Sequence, residues 1–326
     1  MKILDFGAEQ VFKGRSTYTC ICFIQNTTGD ISYTKCQSNE IMNVPNENFL
    51  LITYDSLDDK RGWMLSAEVN VLENISKIEN TGIPLGHLVD IKNGFATLKN
   101  DIFVFRPNCE DDNFFYFTKD SKEYCVEKGI CRATVKPNTL SEDMPLKEQM
   151  EWLIFPYMYE GKNVVVMKQE VILQKYPKAY AYLCGYKEQL SLRDKGTRQY
   201  QEWYAYGRTQ ALNIKGYKLL FPYLAPKPKF ILSVEMDLMF YNGYALVSDD
   251  LEQLKLLQKI LCSEIFWYYI KNSSKPYGGD YMSLAKNYVT NFGVVNLSVY
   301  QKKKLMALTS QEDINNYLIK LYKLCL

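Results

Sequence analysis

The sequence predicts an α+β protein, in which a mixed, β-rich domain is followed by C-terminal helices and preceded by part of an α/β sheet. Three observations support this class. Short runs rich in β-branched and aromatic residues recur over 2–57, with too little helix between them to cover a sheet. Further strand-like runs, separated by Gly, Pro and Asn, continue as far as residue 248. The clearest helical periodicity lies from residue 249 onward.

The first segment, residues 1–80, is predicted to contain several strands and one helix. Its strand-forming runs are 2–6, 16–26, 26–36 and 46–57. The helix is expected over 65–80, where apolar residues recur at helical spacing and Ser66 is the candidate N-cap. These strands alone would form an incomplete layer, so we expect them to belong to a larger α/β sheet.

The second segment, residues 81–248, alternates strand-like runs with turn residues. Its predicted elements are two strands joined by a bend at Gly94 over 81–105, a strand and a short helix over 114–137, a strand and a helix over 151–193, and strands over 217–248. Pro177 lies near the start of the predicted helix. The dipeptide Asn242-Gly243 predicts a hairpin turn between two of the last strands.

The third segment, residues 249–326, is predicted to be helical. A single long helix is expected over 249–274, with Asp249 or Asp250 as its N-cap. A second helix is expected over 309–324. Both are amphipathic, and helices of this kind also suit docking to a partner polypeptide.

Charge is distributed unevenly along the chain. The 326 residues carry a formal net charge of only +2, so a strongly basic signal for the whole protein is absent. Thirteen Lys and Arg face four Asp and Glu over 161–230, and six face one over 271–304. Over 101–160, by contrast, seven basic residues face twelve acidic ones. The two basic blocks are typical of a cationic face, which we expect to form on folding.

Cysteine and histidine usage exclude several kinds of site. The nine cysteines include no CxxC pair, and no apolar run is long enough to cross a bilayer. We also expect no signal peptide. We therefore expect reduced thiols in a cytoplasmic protein. With one histidine, His87, a His-based metal site or catalytic triad is not supported. The nucleotide-loop motifs GxGxxG and GxxxxGK[ST] are absent, as are GxSxG and HExxH, which favours a binding role.

Three polar clusters lie among aromatic residues, at 92–101, 198–210 and 273–286. The candidate DNA-binding residues in them are Lys92, Asn93, Thr97, Lys99, Asn100, Arg198, Arg208, Gln210, Lys275, Tyr277, Gly278, Gly279 and Lys286. Arg, Lys, Asn and Gln are the residue types that bind base edges, whereas Lys, Ser and Thr suit phosphate oxygens. Each cluster alone is also typical of a solvated loop. The two adjacent glycines are explained either by a tight turn or by close approach of the main chain to phosphates.

Five blocks resemble, in order, the target-recognition region of Eco57I/TaqI-like adenine-specific DNA methyltransferases. They are "LGHLVDIKNGFATLKNDIFVF" at 85–105, "YPKAYAYLCGYKEQLSLR" at 176–193, "WYAYGRTQAL" at 203–212, "KLLFPYLAPKPKF" at 218–230 and the helix-and-glycine-loop block at 257–294. The N-terminal "ILDFGAEQVFKGRSTYTCICFIQ" resembles the last strands of that family's methyltransferase domain. The resemblance implies three parts: the end of an incomplete methyltransferase-like α/β domain at 1–80, a target-recognition domain at 81–248, and a helical specificity region at 249–326.

The resemblance also implies a function, which is sequence-specific recognition of double-stranded DNA within a bacterial restriction–modification system. The family's Asn-Pro-Pro-Tyr/Phe catalytic loop and glycine-rich cofactor loop are missing; the nearest string is "NVPNENF" at 43–49. We therefore expect no catalysis by this chain alone, no metal, and a separate catalytic domain or subunit that holds S-adenosylmethionine. The chain would then be a fragment, a split gene product or a truncated form. Two alternatives stay open: a protein–protein docking module that assembles such a complex without reading bases, and an enzyme with an unfamiliar site, such as a nuclease.

Overall fold

The computed structural model describes residues 1–15, 17–26, 29–57, 62–66, 68–161 and 163–324. The chain forms two compact units of mixed helix and sheet, which confirms the predicted α+β class. The first unit comprises Met1–Leu88, Leu224–Pro228 and Leu256–Leu326, and the second comprises Val89–Tyr223 and Lys229–Lys255. Five residues of predicted elements lie outside the described residues: Ser16, Thr27, Thr28, Ala67 and Lys162.

The two units do not follow the three consecutive segments expected from the sequence. The predicted first segment and most of the predicted third segment belong to the same unit. Helix Val69–Glu79 packs against helix Glu264–Ser273, where the Tyr269 hydroxyl donates to Glu79 Oε1 at 2.8 Å. Strand Ile83–Pro84 pairs with Gly293–Val294. Contacts between residues about two hundred positions apart therefore build the first unit.

The first unit opens with a four-stranded sheet in the order Cys20–Phe23, Lys2–Asp5, Ile31–Lys35, Leu50–Ile52. Lys2–Asp5 and Ile31–Lys35 run parallel, and the two outer pairs are antiparallel. Ile3, Ile31, Tyr33 and Ile52 form its core. The outer strand Cys20–Phe23 is largely exposed. The four strands predicted over 2–57 are thus confirmed, although each is shorter than its strand-forming run.

The rest of the first unit is mostly helical. Its helices are Val69–Glu79, Leu85–Leu88, Glu264–Ser273, Lys286–Val289, Val299–Ala307 and Gln311–Tyr322. A small sheet, ordered Leu224–Ala225, Tyr281–Ser283, Pro276–Tyr277, lies among them. Ser310 caps the last helix by accepting from the Asp313 N–H, so the helix predicted over 309–324 is confirmed. No helix among the described residues is long and apolar enough to cross a membrane.

The single helix predicted over 249–274 is wrong. The chain forms two helices there, Leu251–Leu261 and Glu264–Ser273. The break is at buried Ser263, whose hydroxyl donates to the Ile260 carbonyl at 2.6 Å and accepts from the Phe266 N–H. A serine that caps a new helix in this way competes with continuation of the old one. Asp250, one of the two predicted N-caps, caps the first helix by accepting from the Gln253 N–H.

The described residues of the second unit form four sheets and several short helices. The strands of the first sheet are, in spatial order, Lys122–Glu127, Phe114–Lys119 and Cys109–Glu110, and those of the second are Met239–Phe240, Cys131–Val135, Glu151–Ile154 and Val104–Phe105. The third sheet pairs Tyr157–Glu160 with Asn163–Val166. The fourth has the order Ile231–Ser233, Tyr217–Phe221, Tyr244–Ser248, Asp90–Asn93. The helices of the unit are Asn100–Phe103, Gln169–Lys175, Pro177–Gly185 and Lys187–Ser191. The helix predicted after 151 is divided at Pro177, because proline lacks an N–H and forces Tyr176 out of the helical region.

Tyrosines build much of the interior of the second unit. Tyr157, Tyr182, Tyr204, Tyr206 and Tyr241 are all buried in one cluster. Their hydroxyls are satisfied within the protein: that of Tyr182 donates to the Ile102 carbonyl, and that of Tyr204 to the Met167 carbonyl. Buried tyrosines need such partners. These five tyrosines therefore belong to the core of the unit.

The hairpin predicted at Asn242-Gly243 is wrong. The strand before it, Met239–Phe240, pairs in parallel with Cys131–Val135, whereas the strand after it, Tyr244–Ser248, joins a different sheet. Asn242 is left-handed, with φ of 49°. A Cβ on Gly243 would lie 2.4 Å from Pro137 Cβ, so glycine is needed for close packing at this bend. The turn residues were recognised correctly, but the strands that they join pair elsewhere.

Candidate functional site

Two of the three predicted clusters meet in the second unit. Ala96 and Arg208 form an antiparallel bridge, in which the Arg208 N–H donates to the Ala96 carbonyl at 2.9 Å. The N–H of the preceding residue, Gly207, donates to the Thr97 carbonyl at 3.3 Å. The clusters at 92–101 and 198–210 are about a hundred residues apart in sequence. The fold joins them through their main chains.

The strand that leads into this region carries Lys92 and Asn93. Lys92 Nζ lies 3.0 Å from Asp90 Oδ2, and both side chains are well exposed, so this ion pair contributes little to stability. Asn93 is exposed at the end of the strand. Gly94 follows, and a Cβ there would lie 2.5 Å from the Phe240 carbonyl oxygen. Glycine is therefore needed at the predicted bend, because two backbone segments of this unit approach each other closely there.

The turn after Gly94 is held by two of the predicted residues. Thr97 is fully buried, and its hydroxyl donates to Asn100 Oδ1 at 2.6 Å and accepts from the Lys99 N–H at 3.0 Å. Leu98 between them is left-handed, with φ of 64°, and 40% exposed. Thr97 and Asn100 thus order the turn, while Lys99 is half-buried. Direct contact with a ligand is open to Lys99 rather than to the Thr97 hydroxyl.

Arg193, which the sequence did not single out, lies beneath the junction. It is 3% exposed, and its guanidinium donates to the carbonyls of Leu190, Thr97, Ala205 and Trp203 at 2.7–3.2 Å. Burial lowers the pKa of this guanidinium, which nevertheless stays charged at any physiological pH. In the sequence Arg193 is followed by Asp194 and Lys195, and nothing in that charged run predicts that Arg193 alone is buried. Only the long-range contacts identify it.

A tight left-handed turn follows Arg193. Asp194, Lys195 and Gly196 have φ values of 48°, 59° and 72°. Consecutive left-handed residues are costly for side chains other than Gly, Asn and Asp. The turn directs the Asp194 carboxylate back over the junction, where Oδ2 accepts from the Tyr200 hydroxyl at 2.9 Å. Lys195 stays exposed on the outside of the turn.

Arg198 and Arg208, which we call the arginine pair, converge on one carbonyl. Nη1 of Arg198 donates to the Gly207 oxygen at 2.6 Å, and Nη1 of Arg208 donates to the same oxygen at 2.8 Å. Both Nη1 atoms also lie near Asp194 Oδ2, at 3.7 and 3.8 Å. The two side chains are 45% and 49% exposed. Each guanidinium has five N–H donors, so most of its donors remain available to a ligand.

Two further residues complete this region, which we call the arginine site and define as Lys99, Asp194, Arg198, Tyr200, Arg208 and Gln210. The Tyr200 ring centroid lies 5.2 Å from the Arg198 guanidinium and 4.4 Å from that of buried Arg193. Gln210 is exposed two residues beyond Arg208. The region thus presents cationic and amide donors over a buried support.

The third predicted cluster is a β-hairpin in the first unit. Pro276–Tyr277 pairs with Tyr281–Ser283, and the turn consists of Gly278, Gly279 and Asp280. Gly279 has φ of 74°, which favours glycine. Gly278 does not have a left-handed φ, and the nearest atom that a Cβ there would meet is Tyr18 Oη at 4.0 Å. The tight-turn explanation accounts for Gly279 but leaves Gly278 without an intramolecular reason.

Lys275 and Tyr277 form a small aromatic cluster with Tyr18 beside this turn. Lys275 Nζ lies 5.7 Å from the Tyr18 ring centroid and 5.4 Å from that of Tyr277, and the two rings meet edge to face. The Tyr18 hydroxyl accepts from the Gly278 N–H at 2.9 Å. Lys286 is exposed at the start of helix Lys286–Val289. The hairpin tip is therefore held in place by a contact from the N-terminal part of the chain.

Other kinds of chemistry find less support in the part of the chain that the structure describes. No three His, Cys, Asp or Glu side chains come together there as a metal site requires. The eight cysteines within that part are free thiols. One unusual cation is Lys218, whose fully buried Nζ donates to the Gly216 and Met236 carbonyls. Burial lowers the pKa of Lys218 to about 8.

Comparisons with known proteins point in one direction. No protein-family model matches the chain. It is 27% identical over 224 residues to the Type II restriction enzyme and methyltransferase RM.Eco57I of Escherichia coli, which covers 65% of this chain and 22% of that protein. Its fold is similar to that of the Type IIL restriction-modification enzyme MmeI, whose structure was solved in complex with DNA. That similarity has a TM-score of 0.52 and 11% sequence identity, over 99% of this chain and 43% of the other. The chain thus spans about a fifth of the curated relative and less than half of the solved one.

Proposed function

Because this chain is related to the methyltransferases of restriction–modification systems, we propose that it supplies their DNA specificity. In this proposal it binds double-stranded DNA and reads its sequence. The observation that carries the proposal is the junction of two sequence-distant clusters at the arginine site, through the bridge between Ala96 and Arg208. Exposed donors on a support that is buried and hydrogen-bonded are what base recognition needs, because a mobile side chain discriminates poorly.

Residues of the two units would divide the work. Arg198, Arg208 and Gln210 would bind base edges, and Lys92, Asn93 and Lys99 would bind the backbone or neighbouring bases. In the first unit, Lys275 and Lys286 would bind phosphates, Tyr277 would support Lys275, and the main chain at Gly278 and Gly279 would approach the backbone. Thr97 and Asn100 would act by holding the turn that carries Lys99.

Methyl transfer belongs, in this proposal, to a catalytic domain or subunit. An enzyme that methylates adenine must turn the base out of the duplex into a pocket, while a second surface holds the flanking base pairs. The catalytic part would hold the flipped adenine and S-adenosylmethionine, which supplies the methyl group. The present chain would set the register of the complex on DNA, would not methylate DNA alone, and would work in the bacterial cytoplasm.

A second function, docking of a partner polypeptide, is favoured by one observation in the first unit. Phe23, Ile24 and Leu51 on the outer strands of its four-stranded sheet, or next to them, are 58–76% exposed. The outer strand Cys20–Phe23 is antiparallel to its one described neighbour, so its other edge offers main-chain groups to an added strand. We propose the catalytic domain as the occupant. Docking and DNA binding are compatible functions.

Salt dependence separates the two functions experimentally. Anisotropy of a fluorescent 30-base-pair duplex should rise on addition of the purified chain, with log K falling by about 0.9 per phosphate contact per log unit of salt. An apolar protein interface changes little over the same range. Selection from a pool of random duplexes should then enrich one sequence motif. Absence of binding at low salt, or binding with no enriched motif, would reject DNA recognition by this chain.

A methylation assay tests the division of labour. The chain alone, with S-adenosylmethionine and duplex DNA that carries the selected motif, should yield no N6-methyladenine. Appearance of the product with this polypeptide as the sole protein would show that it is itself a methyltransferase.

A further inference from the structure

The two members of the arginine pair bring two positive charges close to one carboxylate. Both Nη1 atoms donate to the single carbonyl of Gly207, at 2.6 and 2.8 Å, so two positive charges lie only a few ångströms apart. Half-exposed guanidinium groups at this distance repel each other, and a nearby carboxylate reduces that repulsion. Asp194 is the carboxylate that lies near both, with Oδ2 at 3.7 and 3.8 Å from the two Nη1 atoms.

Asp194 is itself held firmly, by two independent restraints. Its backbone is the first of three left-handed residues, directly after Arg193, which is fixed by its hydrogen bonds to four carbonyls. Its Oδ2 accepts from the Tyr200 hydroxyl at 2.9 Å, and the Tyr200 ring lies against the Arg198 and Arg193 guanidinium groups. Its side chain is 25% exposed, compared with nearly half for the arginines. The carboxylate therefore belongs to the support rather than to the outer surface.

The distances also show what Asp194 does not do. At 3.7–3.8 Å the carboxylate makes an ion pair with each arginine but not a short hydrogen bond, so it does not occupy their donor groups. Among the described residues, the hydrogen bonds of the arginine pair use Nη1, which leaves the Nε and Nη2 donors for a ligand. An arginine held in this way has the fork geometry that binds O6 and N7 of guanine in the major groove.

We infer that Asp194 is a positioning residue for the arginine pair, and that the base read by this pair is a guanine. This inference rests on the proposed function. Asp194 would lower the freedom of the two arginines before DNA arrives, so that one guanine is distinguished from other bases. As a negative charge beside a polyanion, it would at the same time weaken binding to DNA of any sequence. Selectivity and general affinity would thus respond to its removal in opposite directions.

The test compares wild-type chain with Asp194→Asn in two measurements. Asparagine has nearly the same shape and tolerates a left-handed backbone, so the turn should persist. In selection from a random duplex pool, the wild-type motif should contain a G·C pair that becomes degenerate with the variant. Discrimination at that position should fall on the order of 10- to 100-fold. Affinity for the unselected pool should be equal to or higher than that of wild type.

Glu188→Gln is the matched control. It removes the same charge from the same unit at an exposed position of helix Lys187–Ser191, and it should leave the motif unchanged. Tyr200→Phe is a second variant that removes the hydroxyl bonded to Asp194 but keeps the ring. It should relax the same motif position by a smaller factor, and it tests the inference should Asp194→Asn fold poorly.

Several results would overturn the inference about Asp194. An unchanged motif with both variants would overturn the inference, as would relaxation at an A·T pair. Equal loss of selected and unselected DNA binding, with a lower melting temperature, would assign Asp194 a purely structural role and would also overturn it. If the wild-type chain enriches no motif, it is the proposed function that fails, and the comparison between variants does not arise.

Discussion

Arg193 and Thr97 are joined by a hydrogen bond of 3.2 Å, from Arg193 Nη1 to the Thr97 carbonyl, although 96 residues separate them in sequence. The same guanidinium reaches the carbonyls of Leu190, Trp203 and Ala205. One buried side chain therefore connects the turn that carries Lys99 with the segment that carries Arg208. Removing it would take the charged donor from the Ala205 and Trp203 carbonyls, whereas the Thr97 carbonyl would keep the Gly207 N–H.

Replacement of Arg193 by methionine is expected to lower the free energy of unfolding by about 3 kcal/mol, because the Ala205 and Trp203 carbonyls would lose a charged donor. Urea unfolding followed by intrinsic fluorescence measures the change. Lys195→Ala, two residues away and exposed, should shift it by no more than about 0.5 kcal/mol. A similar small effect for both variants would show that Arg193 does not support the junction.

Replacement of Arg208 by alanine is expected to weaken binding to the selected DNA motif by about 1–3 kcal/mol and to relax one base position. Fluorescence anisotropy with the selected duplex and with single-base variants of it measures both effects. Lys215→Ala removes an exposed cation from the same unit, outside the predicted clusters, and serves as the control. Equal loss on every sequence would reassign Arg208 to a phosphate contact.

The two adjacent glycines are expected to respond differently to alanine. Gly279→Ala should lower the free energy of unfolding by about 1 kcal/mol, because φ of 74° is strained for alanine. Gly278→Ala should leave stability unchanged, because nothing in the protein lies closer than 4.0 Å to the new methyl group. It should nevertheless weaken DNA binding, if the main chain there approaches the phosphates. Wild-type DNA affinity for Gly278→Ala would leave the tight turn as sufficient explanation for this hairpin.

Lys218 is expected to make stability depend on pH in the alkaline range. Its pKa is about 8 in the folded chain and about 10.4 when unfolded, so between these values the unfolded state binds more protons. The free energy of unfolding should therefore rise with pH over this window, by about 2–3 kcal/mol at most. Below pH 8, Lys218 is protonated in both the folded and the unfolded state, so its burial lowers the free energy of unfolding by a constant amount.

Lys218→Met isolates this contribution. Buried tyrosines such as Tyr157, whose pKa is raised by burial to about 12, oppose the trend above pH 10, but both proteins share them. Urea unfolding of both proteins from pH 7 to 10 measures the effect. As the pH rises, the unfolding free energy of wild type should increase relative to that of the variant. Parallel pH profiles for the two proteins would mean that Lys218 titrates normally in the folded chain.

Much of the local structure follows from local patterns. The alternating β-branched and aromatic residues predicted strands Lys2–Asp5 and Ile31–Lys35, and helical spacing with a serine cap predicted Gln311–Tyr322. Two errors had a shared cause. The apolar stripe of 249–274 runs on through Ser263, whose buried cap divides the helix, and the turn at Asn242-Gly243 joins strands of different sheets. Strand partners and helix breaks of this kind depend on burial and distant contacts, which a short window of sequence does not contain.

The same distinction applies to the site. Residue type and charge were enough to select Arg198, Arg208 and Lys99 as candidates for contact with a polyanion, because those properties belong to each side chain alone. That Ala96 bridges to Arg208, that Arg193 is buried under both clusters, and that Asp194 lies between two arginines were visible in the folded chain alone. Such relationships arise when segments a hundred residues apart exclude water from each other, and no local property of the chain encodes which segments will meet.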